Sequence, residues 1–548
     1  MKKIKLLKLL FTLILVIGLG ALVSCGDNTN NPSENTTDDT EIDSYKNQLS
    51  SANFDINKEY FYDDYNDKSL ADTKRQGVVT FDNKDIVFEA VTYEKLINIL
   101  NSEGNYLIFF GGAWCHNTRA TARFVNEYAT KYNIDTIYNF DFRLDGVTSE
   151  SHIRVNDPAD ATKEKTAGEE YNYLYGELIN HYLTNVDDFV EYTSDSNSAI
   201  KYTNPHQDEN DVKNENGQSL AAKIQVPFLF LYNKDNTDRY SYDFETHSIK
   251  EEQAEEGKKY PVVYGFEEMI DYTVVDGKDK ITYEDNTDIS SLYTTWVDNF
   301  FKNFENIEIA EYTDAEFFKD QYNGKSGTSI FADNDQINLV SVIYRQLAWL
   351  LEQEGNSIVL LGGSWCGNTQ ATITTINDYA VENELNVYNF DTKLGGGKSL
   401  IDASSTRNNI WDGADAHIRD NTNKFVYLYA ELLQKYLTNI VTLYDKTDGK
   451  ASHNITYTDA ENNTVVLNKA QVPYLFSYNK DAKDSDGFIA PIIAYLEQML
   501  VLNSESPSYV YNDDVYKGYK AGIKSILDQY AAITGITVEE ITIDRSAE

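Results

Sequence analysis

Residues 104–121 read GNYLIFFGGAWCHNTRAT, and residues 355–372 read GNSIVLLGGSWCGNTQAT. In both stretches a continuous apolar run meets two glycines, and Trp-Cys-x-Asn-Thr follows shortly after them. A continuous apolar run that ends at glycines is typical of a strand buried in a parallel sheet. Helical spacing of apolar residues follows the cysteine, so each stretch predicts a buried strand that leads through a cysteine into a helix.

Four further blocks recur in the same order behind these two stretches. They are YNFDFRLDG and YNFDTKLGG, SHIR and AHIR, YNYLYGELINHYLTN and FVYLYAELLQKYLTN, and AAKIQVPFLFLYNKD and NKAQVPYLFSYNKD. Matched blocks in one order indicate a duplication, and their unequal spacing indicates loops of different length. We call the repeat that contains Cys115 copy one and the repeat that contains Cys366 copy two.

The residue pattern predicts the same order of elements in both copies. In copy one we expect helices over residues 92–101 (with Thr92 as N-cap), 117–132 and 291–304, and strands over 106–110 and 134–140. In copy two we expect strands over 358–361 and 385–390 and helices over 368–380 and 515–530. A strand beginning at Pro227 or Pro473 follows a long insertion. This order predicts mixed β-sheets covered by helices, which is the α/β class.

The strand, the Trp-Cys-x-x-Thr sequence and the helix together resemble the active site of the thioredoxin superfamily. The matching residues are Trp114, Cys115 and Thr118 with Trp365, Cys366 and Thr369. That family places a strand that starts at a cis-proline opposite the active cysteine, and two Val-Pro pairs resemble this feature: Val226 and Pro227, and Val472 and Pro473. The resemblance implies two tandem thioredoxin-like domains, each a mixed β-sheet flanked by helices with a helical insertion before the cis-proline strand.

Three features depart from the family's pattern. The second cysteine of Cys-x-x-Cys is a threonine in both copies. The acid that many thioredoxins bury ahead of the cysteine is replaced by Phe109 and Leu360. The chain between Cys115 and Pro227 is far longer than a minimal thioredoxin-like domain needs, and this surplus carries a tyrosine-rich segment that we expect to be helical and to serve for packing. An aromatic peptide-binding groove is the alternative role of these tyrosines.

The predicted chemistry belongs to the two cysteines. Unpaired backbone N–H groups at a helix start, together with the helix dipole, stabilise a thiolate. We expect Thr118 and Thr369, one turn later, to donate a hydrogen bond to the sulfur, and His116 to favour the thiolate of copy one further. The resemblance implies that the tryptophans and the Val-Pro pairs line the substrate site, with Val226 and Val472 holding an extended peptide by strand addition.

Two functions of different class stay open at this point. In the first, each lone thiolate performs thiol-disulfide exchange or isomerisation on exported proteins or small thiols, and the substrate's own cysteine or an external thiol resolves the mixed disulfide. In the second, the domains are degenerate binding modules of a surface lipoprotein, and the cysteines are small apolar groups. A Cys115–Cys366 disulfide is a further alternative, which needs Cα atoms within about 7 Å.

The His-Ile-Arg blocks also allow two interpretations. His152 and Arg154, like His417 and Arg419, either lie near the sulfur or are satisfied groups at the edge of the core. No spacing typical of a metal site or a cofactor motif occurs, so we expect neither metal nor cofactor. The oligomeric state is not predicted.

The N-terminus predicts export and a lipid anchor. A lysine-rich start, an apolar run over residues 9–23 and then Leu-Val-Ser-Cys, ending at Cys25, are typical of a secretory signal peptide and resemble a bacterial lipobox. An uncleaved membrane helix is the alternative. The resemblance implies a lipid on Cys25, a location on the extracytoplasmic face of the bacterial cell membrane, and membrane contact through that lipid only.

The predicted organisation has four parts: a lipoprotein signal peptide over residues 1–24, a disordered acidic tether over 25–50, and thioredoxin-like domains over 51–305 and 306–548. The formal net charge of -41 argues against nucleic acid as a partner and against docking on an anionic membrane, since both need basic patches. With three cysteines in 548 residues, the exported chain is not a disulfide scaffold.

Overall fold

The computed structural model describes residues 48–67, 69, 81–159, 162–203, 214, 217–275, 278–282, 287–323, 330–396, 416–443, 453–458, 462–497 and 521–525. All of these belong to one compact unit, Tyr45–Glu548. The predicted signal peptide, Cys25, the tether up to residue 47 and most of the predicted helix 515–530 lie outside the described residues. Within the described ranges, no helix has the length and apolar character needed to cross a membrane.

Copy one is built on a five-stranded mixed sheet. Its elements are α1 (Ile56–Asn66), β1 (Phe88–Ala90), α2 (Tyr93–Asn101), β2 (Tyr106–Phe110), α3 (His116–Lys131), β3 (Ile137–Phe140), α4 (Ala167–Glu170), α5 (Asn172–Glu177), β4 (Ile200–Tyr202), β5 (Ser219–Ala221), β6 (Phe228–Tyr232), β7 (Arg239–Asp243), β8 (Ser248–Glu252), β9 (Val262–Glu267), β10 (Asp271–Val275), β11 (Lys278–Thr282) and α6 (Ser290–Lys302). The central sheet has the order β1-β3-β2-β6-β9. β3 pairs in parallel with β1 and β2, whereas β6 pairs antiparallel with β2 and β9.

Copy two repeats this sheet. Its elements are α7 (Asp314–Tyr322), β12 (Leu339–Ser341), α8 (Tyr344–Glu352), β13 (Ser357–Leu361), α9 (Gly367–Glu382), β14 (Val387–Phe390), α10 (Val426–Glu431), β15 (Asn454–Thr458), β16 (Thr464–Asn468), β17 (Tyr474–Tyr478) and β18 (Ile492–Glu497). The strand order is β12-β14-β13-β17-β18, with the same parallel and antiparallel pairs. The predicted α/β class, with mixed sheets flanked by helices in two similar halves, is confirmed.

The predicted helix and strand ahead of each cysteine are confirmed in copy one. β2 is buried at every position, as its apolar sequence requires. Leu96 and Leu100 of α2 are fully buried, and the Thr92 hydroxyl accepts a hydrogen bond from the Lys95 N–H at 3.1 Å as an N-cap. The predicted strand over residues 134–140 begins only at 137, because Asn133 adopts φ 57° and the Ile134 N–H donates to Ala129 O in the last turn of α3.

The predicted insertion before the proline strand contains short helices that continue into a wider turn. In copy one α5 runs into a π-helical turn at Leu178–Tyr182, and in copy two α10 runs into one at Leu432–Tyr436. The expected packing role of the tyrosines is met by Tyr175 and Tyr429, which are completely buried. Their hydroxyl groups contact the loop that leads to the proline strand, so the insertion supports the site.

The two copies exchange the segments that precede their first helices. Near the start of the described chain, Ser50 O accepts a hydrogen bond at 2.8 Å from the N–H of Asn386 in copy two. In the corresponding place of copy two, the Ala310 N–H donates to Asn105 O of copy one at 2.8 Å. Each leading segment therefore lies on the other copy's sheet. Residues 48–50, at the end of the predicted tether, form a 3₁₀ turn.

Candidate functional site at the two cysteines

Two glycines bring the loop after the central strand close to its neighbours in each copy. A Cβ on Gly111 would lie 2.6 Å from Thr118 Cγ2, and a Cβ on Gly112 would lie 2.0 Å from Asp141 Oδ2. Gly363 has the same closeness to Asp391 Oδ2, again 2.0 Å. Because only glycine allows these approaches, the Gly-Gly pair determines the position of the loop that carries the cysteine.

Each cysteine is the N-cap of the helix that follows it and faces the Val-Pro pair. Cys115 Sγ donates to Val226 O at 3.5 Å, and Cys366 Sγ donates to Val472 O at 3.4 Å. The peptide bonds from these valines to Pro227 and Pro473 are cis. Both cysteines are free thiols, and Cys115 is 8% exposed. Residues that are remote in sequence therefore meet at one point in both copies.

The two threonines do not contact the sulfur as expected. The hydroxyl groups of Thr118 and Thr369 are buried and have no hydrogen-bond partner within the described part of the chain. The thiol instead donates to the valine carbonyl oxygen, and the threonine side chains pack against Gly111 and Gly362. The predicted hydrogen bond from threonine to sulfur is thus absent, and each site keeps an unused hydroxyl beside the cysteine.

The tryptophan of each site is held by three side chains. In copy one the Trp114 indole N–H donates to Asp141 Oδ1 at 2.8 Å, Arg143 lies 3.8 Å from the ring and His152 lies 5.4 Å from it. In copy two the corresponding partners of Trp365 are Asp391 at 2.8 Å, Lys393 at 4.5 Å and His417 at 5.0 Å. These contacts hold each tryptophan ring next to the cysteine.

The His-Ile-Arg blocks lie at the site without contacting the sulfur. Arg154 donates to Ile224 O, and Arg419 Nε donates to Ala470 O at 3.1 Å, so each arginine holds the loop three residues ahead of the proline. Burial, together with the nearby Arg154 and Arg143, lowers the pKa of His152 to about 3. The imidazole is therefore neutral and packs against the edge of the tryptophan.

Two side chains that the sequence analysis missed accept hydrogen bonds from N–H groups of the loop before Pro227. The Ile224 N–H donates to the Tyr175 hydroxyl at 2.9 Å, and the Gln225 N–H donates to Glu267 Oε1 at 2.6 Å. The Val226 N–H has no partner among the described residues. Burial raises the pKa of Glu267 to about 8. Of these three loop N–H groups, only that of Val226 thus lacks a partner within the described residues, and Val226 itself is 3% exposed.

Copy two builds its loop in the same way. The Ala470 N–H donates to the Tyr429 hydroxyl at 3.2 Å, and the Gln471 N–H donates to Glu497 Oε1 at 2.5 Å. No partner is recorded for the Val472 N–H in the part of the chain that the structure describes. A signal for both glutamates exists in the sequence, since PVVYGFEEM and PIIAYLEQM form a further matched block.

Comparison with protein-family models, curated proteins and solved structures finds no match for this chain. The geometry of the two sites recurs within one chain, in the cysteine at a helix start and the cis-proline opposite it.

Proposed function

We propose that this chain is a lipoprotein of the bacterial surface whose two thioredoxin-like domains perform monothiol thiol-disulfide exchange or isomerisation on exported substrates. The strand order of both sheets, the cysteine at a helix start and the cis-proline opposite it support the thioredoxin-like assignment. Cys115 and Cys366 are the proposed nucleophiles. The signal-like N-terminus and Cys25 support the anchor and the extracytoplasmic location.

One observation carries the proposal: of the three residues before Pro227, and within the described part of the chain, only Val226 has an N–H without a partner, and the carbonyl oxygen of this same residue contacts the sulfur. Val226 O lies 3.5 Å from Cys115 Sγ, while the N–H groups of Ile224 and Gln225 are occupied. An extended peptide that pairs with Val226 by strand addition would place its own residue next to the sulfur. The loop thus offers one docking position, at the nucleophile.

The reaction balances without an added oxidant or reductant. The Cys115 thiolate attacks one sulfur of a substrate disulfide, a new S–S bond forms, and the second substrate sulfur leaves as a thiolate. Because Thr118 cannot attack the mixed disulfide, a substrate thiolate does so, and Cys115 leaves with its electron pair. The substrate then has a rearranged disulfide and the same number of electrons, which is isomerisation.

The burial of the sulfur favours a second candidate function. Cys115 is 8% exposed and its thiol donates to a backbone carbonyl, an arrangement that also suits a small apolar group in a binding module. In that case the Val226 peptide group holds a peptide and no covalent step takes place. The two candidates differ in whether a covalent adduct forms.

Trapping of mixed disulfides separates the two candidates. The full chain with Cys25→Ser is incubated with a model protein that carries scrambled disulfides, and adducts are identified by non-reducing mass spectrometry. We expect adducts on both Cys115 and Cys366, and loss of isomerase activity in the Cys115→Ser/Cys366→Ser variant. Folded protein that forms no adduct on either cysteine, yet binds the unfolded substrate, would reject the exchange reaction in favour of the binding module.

A further inference from the structure

Three cationic positions recur at corresponding places of the two sites in a chain whose formal net charge is -41. In copy one they are Arg143, Arg154 and Lys223, and in copy two they are Lys393, Arg419 and Lys469. Each position holds a cation in both copies, although Arg143 and Lys393 differ in residue type. Acidic residues outnumber basic ones by 88 to 47, so three basic residues that recur at corresponding positions distinguish the two sites from the rest of the chain.

Contacts place two cations of copy one, Arg143 and Arg154, at the site, and the third, Lys223, lies in the adjoining loop with its ammonium group 5.5 Å from the Tyr192 ring. Arg143 and His152 form an antiparallel bridge, and the Arg143 guanidinium lies over Trp114. Arg154 donates to Ile224 O, and Lys223 immediately precedes that residue. Burial, with Arg154, Arg143 and Lys223 nearby, lowers the pKa of His152 to about 3, so all three cations act on this imidazole. The cluster therefore borders both Trp114 and the loop that leads to Val226.

Several donors in this cluster are unused. His152 is 7% exposed, and its Nδ1 atom has no hydrogen-bond partner within the described ranges. The Nε atoms of Arg143 and Arg154 are also buried without a partner there. In copy two, by contrast, the Nε atom of Arg419, the counterpart of Arg154, donates to Ala470 O at 3.1 Å. Copy one is thus the site with spare donors.

The nearby acids are already engaged. Asp141 accepts from the Trp114 indole and from the Arg143 N–H at 2.8 Å. Glu267 accepts from the N–H groups of Gln225 and Glu191 at 2.6 and 2.9 Å. Burial raises the pKa of Asp141 to about 7 and that of Glu267 to about 8, which weakens their negative charge near neutral pH. Asp145, which also acts on Arg143, accepts from the N–H groups of Val147 and Thr148 at 2.8 and 2.9 Å. The three cations thus face acids that are already hydrogen-bonded, and an arriving anion would be attracted to them.

We infer that Arg143, Arg154 and Lys223 form an anion subsite beside Cys115, so that its preferred substrate is a disulfide with a carboxylate close to the reacting sulfur. This inference rests on the proposed function and names its substrate class. The carboxylate belongs either to a small thiol or to an acidic residue that flanks a peptide cysteine, and the chemistry of recognition is the same for both.

The test uses the Cys25→Ser/Cys366→Ser chain, in which Cys115 is the sole thiol. Its rates are measured with the anionic disulfide dithiobis(nitrobenzoate) and with neutral dithiodipyridine. Arg143→Gln should lower the ratio of the anionic to the neutral rate about tenfold, because cationic surroundings concentrate anions locally. Lys223→Gln should act in the same direction by about threefold. Arg143→Lys carries the copy-two residue and should keep the preference.

Each outcome is decisive for one of the two proposals. Absence of reaction with both reagents in the folded protein would overturn the proposed function. Reaction with both at ratios that none of the variants changes would overturn the anion subsite alone. Peptide disulfides flanked by glutamate or by glutamine, compared with a small dicarboxylate disulfide, then show which source of carboxylate gives the larger preference; equal rates for all three also count against the subsite.

Discussion

The two copies agree in the residues that hold the cysteine and differ in the residues that surround it. Arg119 of copy one donates to Ala113 O at 3.3 Å, and Gln370 of copy two donates to Ser364 O at 2.5 Å. Both donors thus reach the carbonyl of the residue before the tryptophan. The duplication has preserved contacts more strictly than side chains, which makes each copy an internal control for the other.

The largest expected difference in stability between matched variants concerns Lys95 and its counterpart Gln346. Lys95 joins α2 of copy one to α7 of copy two, and Gln346 joins α8 of copy two to α1 of copy one. The Lys95 side chain is 2% exposed and pairs with Glu89 at 2.5 Å and Asp314 at 2.7 Å. Lys95→Met would leave two partly buried carboxylates without their cation. We expect it to lower the free energy of unfolding by about 3–5 kcal/mol, measured by urea denaturation.

Gln346→Met is the matched control. Gln346 Nε2 donates to Asn57 Oδ1 at 2.8 Å, which is a bond between neutral groups. Its loss should cost only about 1–2 kcal/mol. If the two variants are equally destabilised, the ion pair of copy one contributes no more than the amide of copy two, and the comparison fails.

A smaller effect is expected from the buried glutamate under the proline loop. The folded pKa of Glu267 is about 8, above the ordinary value of about 4.3 for the unfolded chain. The folded state therefore holds a proton that the unfolded state has lost, and the resulting stability is fully present below pH 4.3 and lost as the pH rises to 8. Within that window the slope from this group approaches about -1.4 kcal/mol per pH unit.

The Glu267→Gln variant tests this slope. Its free energy of unfolding, measured in urea between pH 5 and 8, should fall less steeply with pH than that of the parent chain. Glu497→Gln should act in the same direction, because burial also raises the pKa of Glu497. Parallel pH curves for parent and variant would contradict the assigned titration.

Much of the fold could be predicted because each signal was local. The apolar runs of β2 and β13 and the helix after each cysteine are properties of adjacent residues and recur in both copies, and the Thr92 cap is a local feature of copy one. The meeting of cysteine and Val-Pro pair was predicted only from the resemblance, since nothing in the spacing alone brings them together.

The parts that were missed depend on contacts between distant segments. The matched block EYFYDDYN and EFFKDQYN identifies the first helix of each copy, but which sheet each leading segment packs on is decided by tertiary contacts such as Ala310 with Asn105. The prediction that Thr118 donates a hydrogen bond to the sulfur was wrong for a similar reason. The Cys115 thiol donates to Val226 O, an acceptor that lies far along the chain. Local spacing could not reveal that competition.

The smallest expected effect concerns the residue after each cysteine, His116 in copy one and Gly367 in copy two. A protonated imidazole next to the sulfur favours the thiolate, whereas glycine offers no charge. His116→Gly should slow alkylation of Cys115 at pH 6 about two- to fivefold, and Gly367→His should speed alkylation of Cys366 by a similar factor. Iodoacetamide rates for each cysteine, followed by mass spectrometry from pH 6 to 9, check both changes.

The reciprocal design matters because a loss of rate alone could come from altered packing at the helix start, while a gain in copy two requires the charge. If Gly367→His leaves the rate of Cys366 unchanged at pH 6 and His116→Gly still slows Cys115, the histidine acts through packing, and the two sites differ by shape and not by charge.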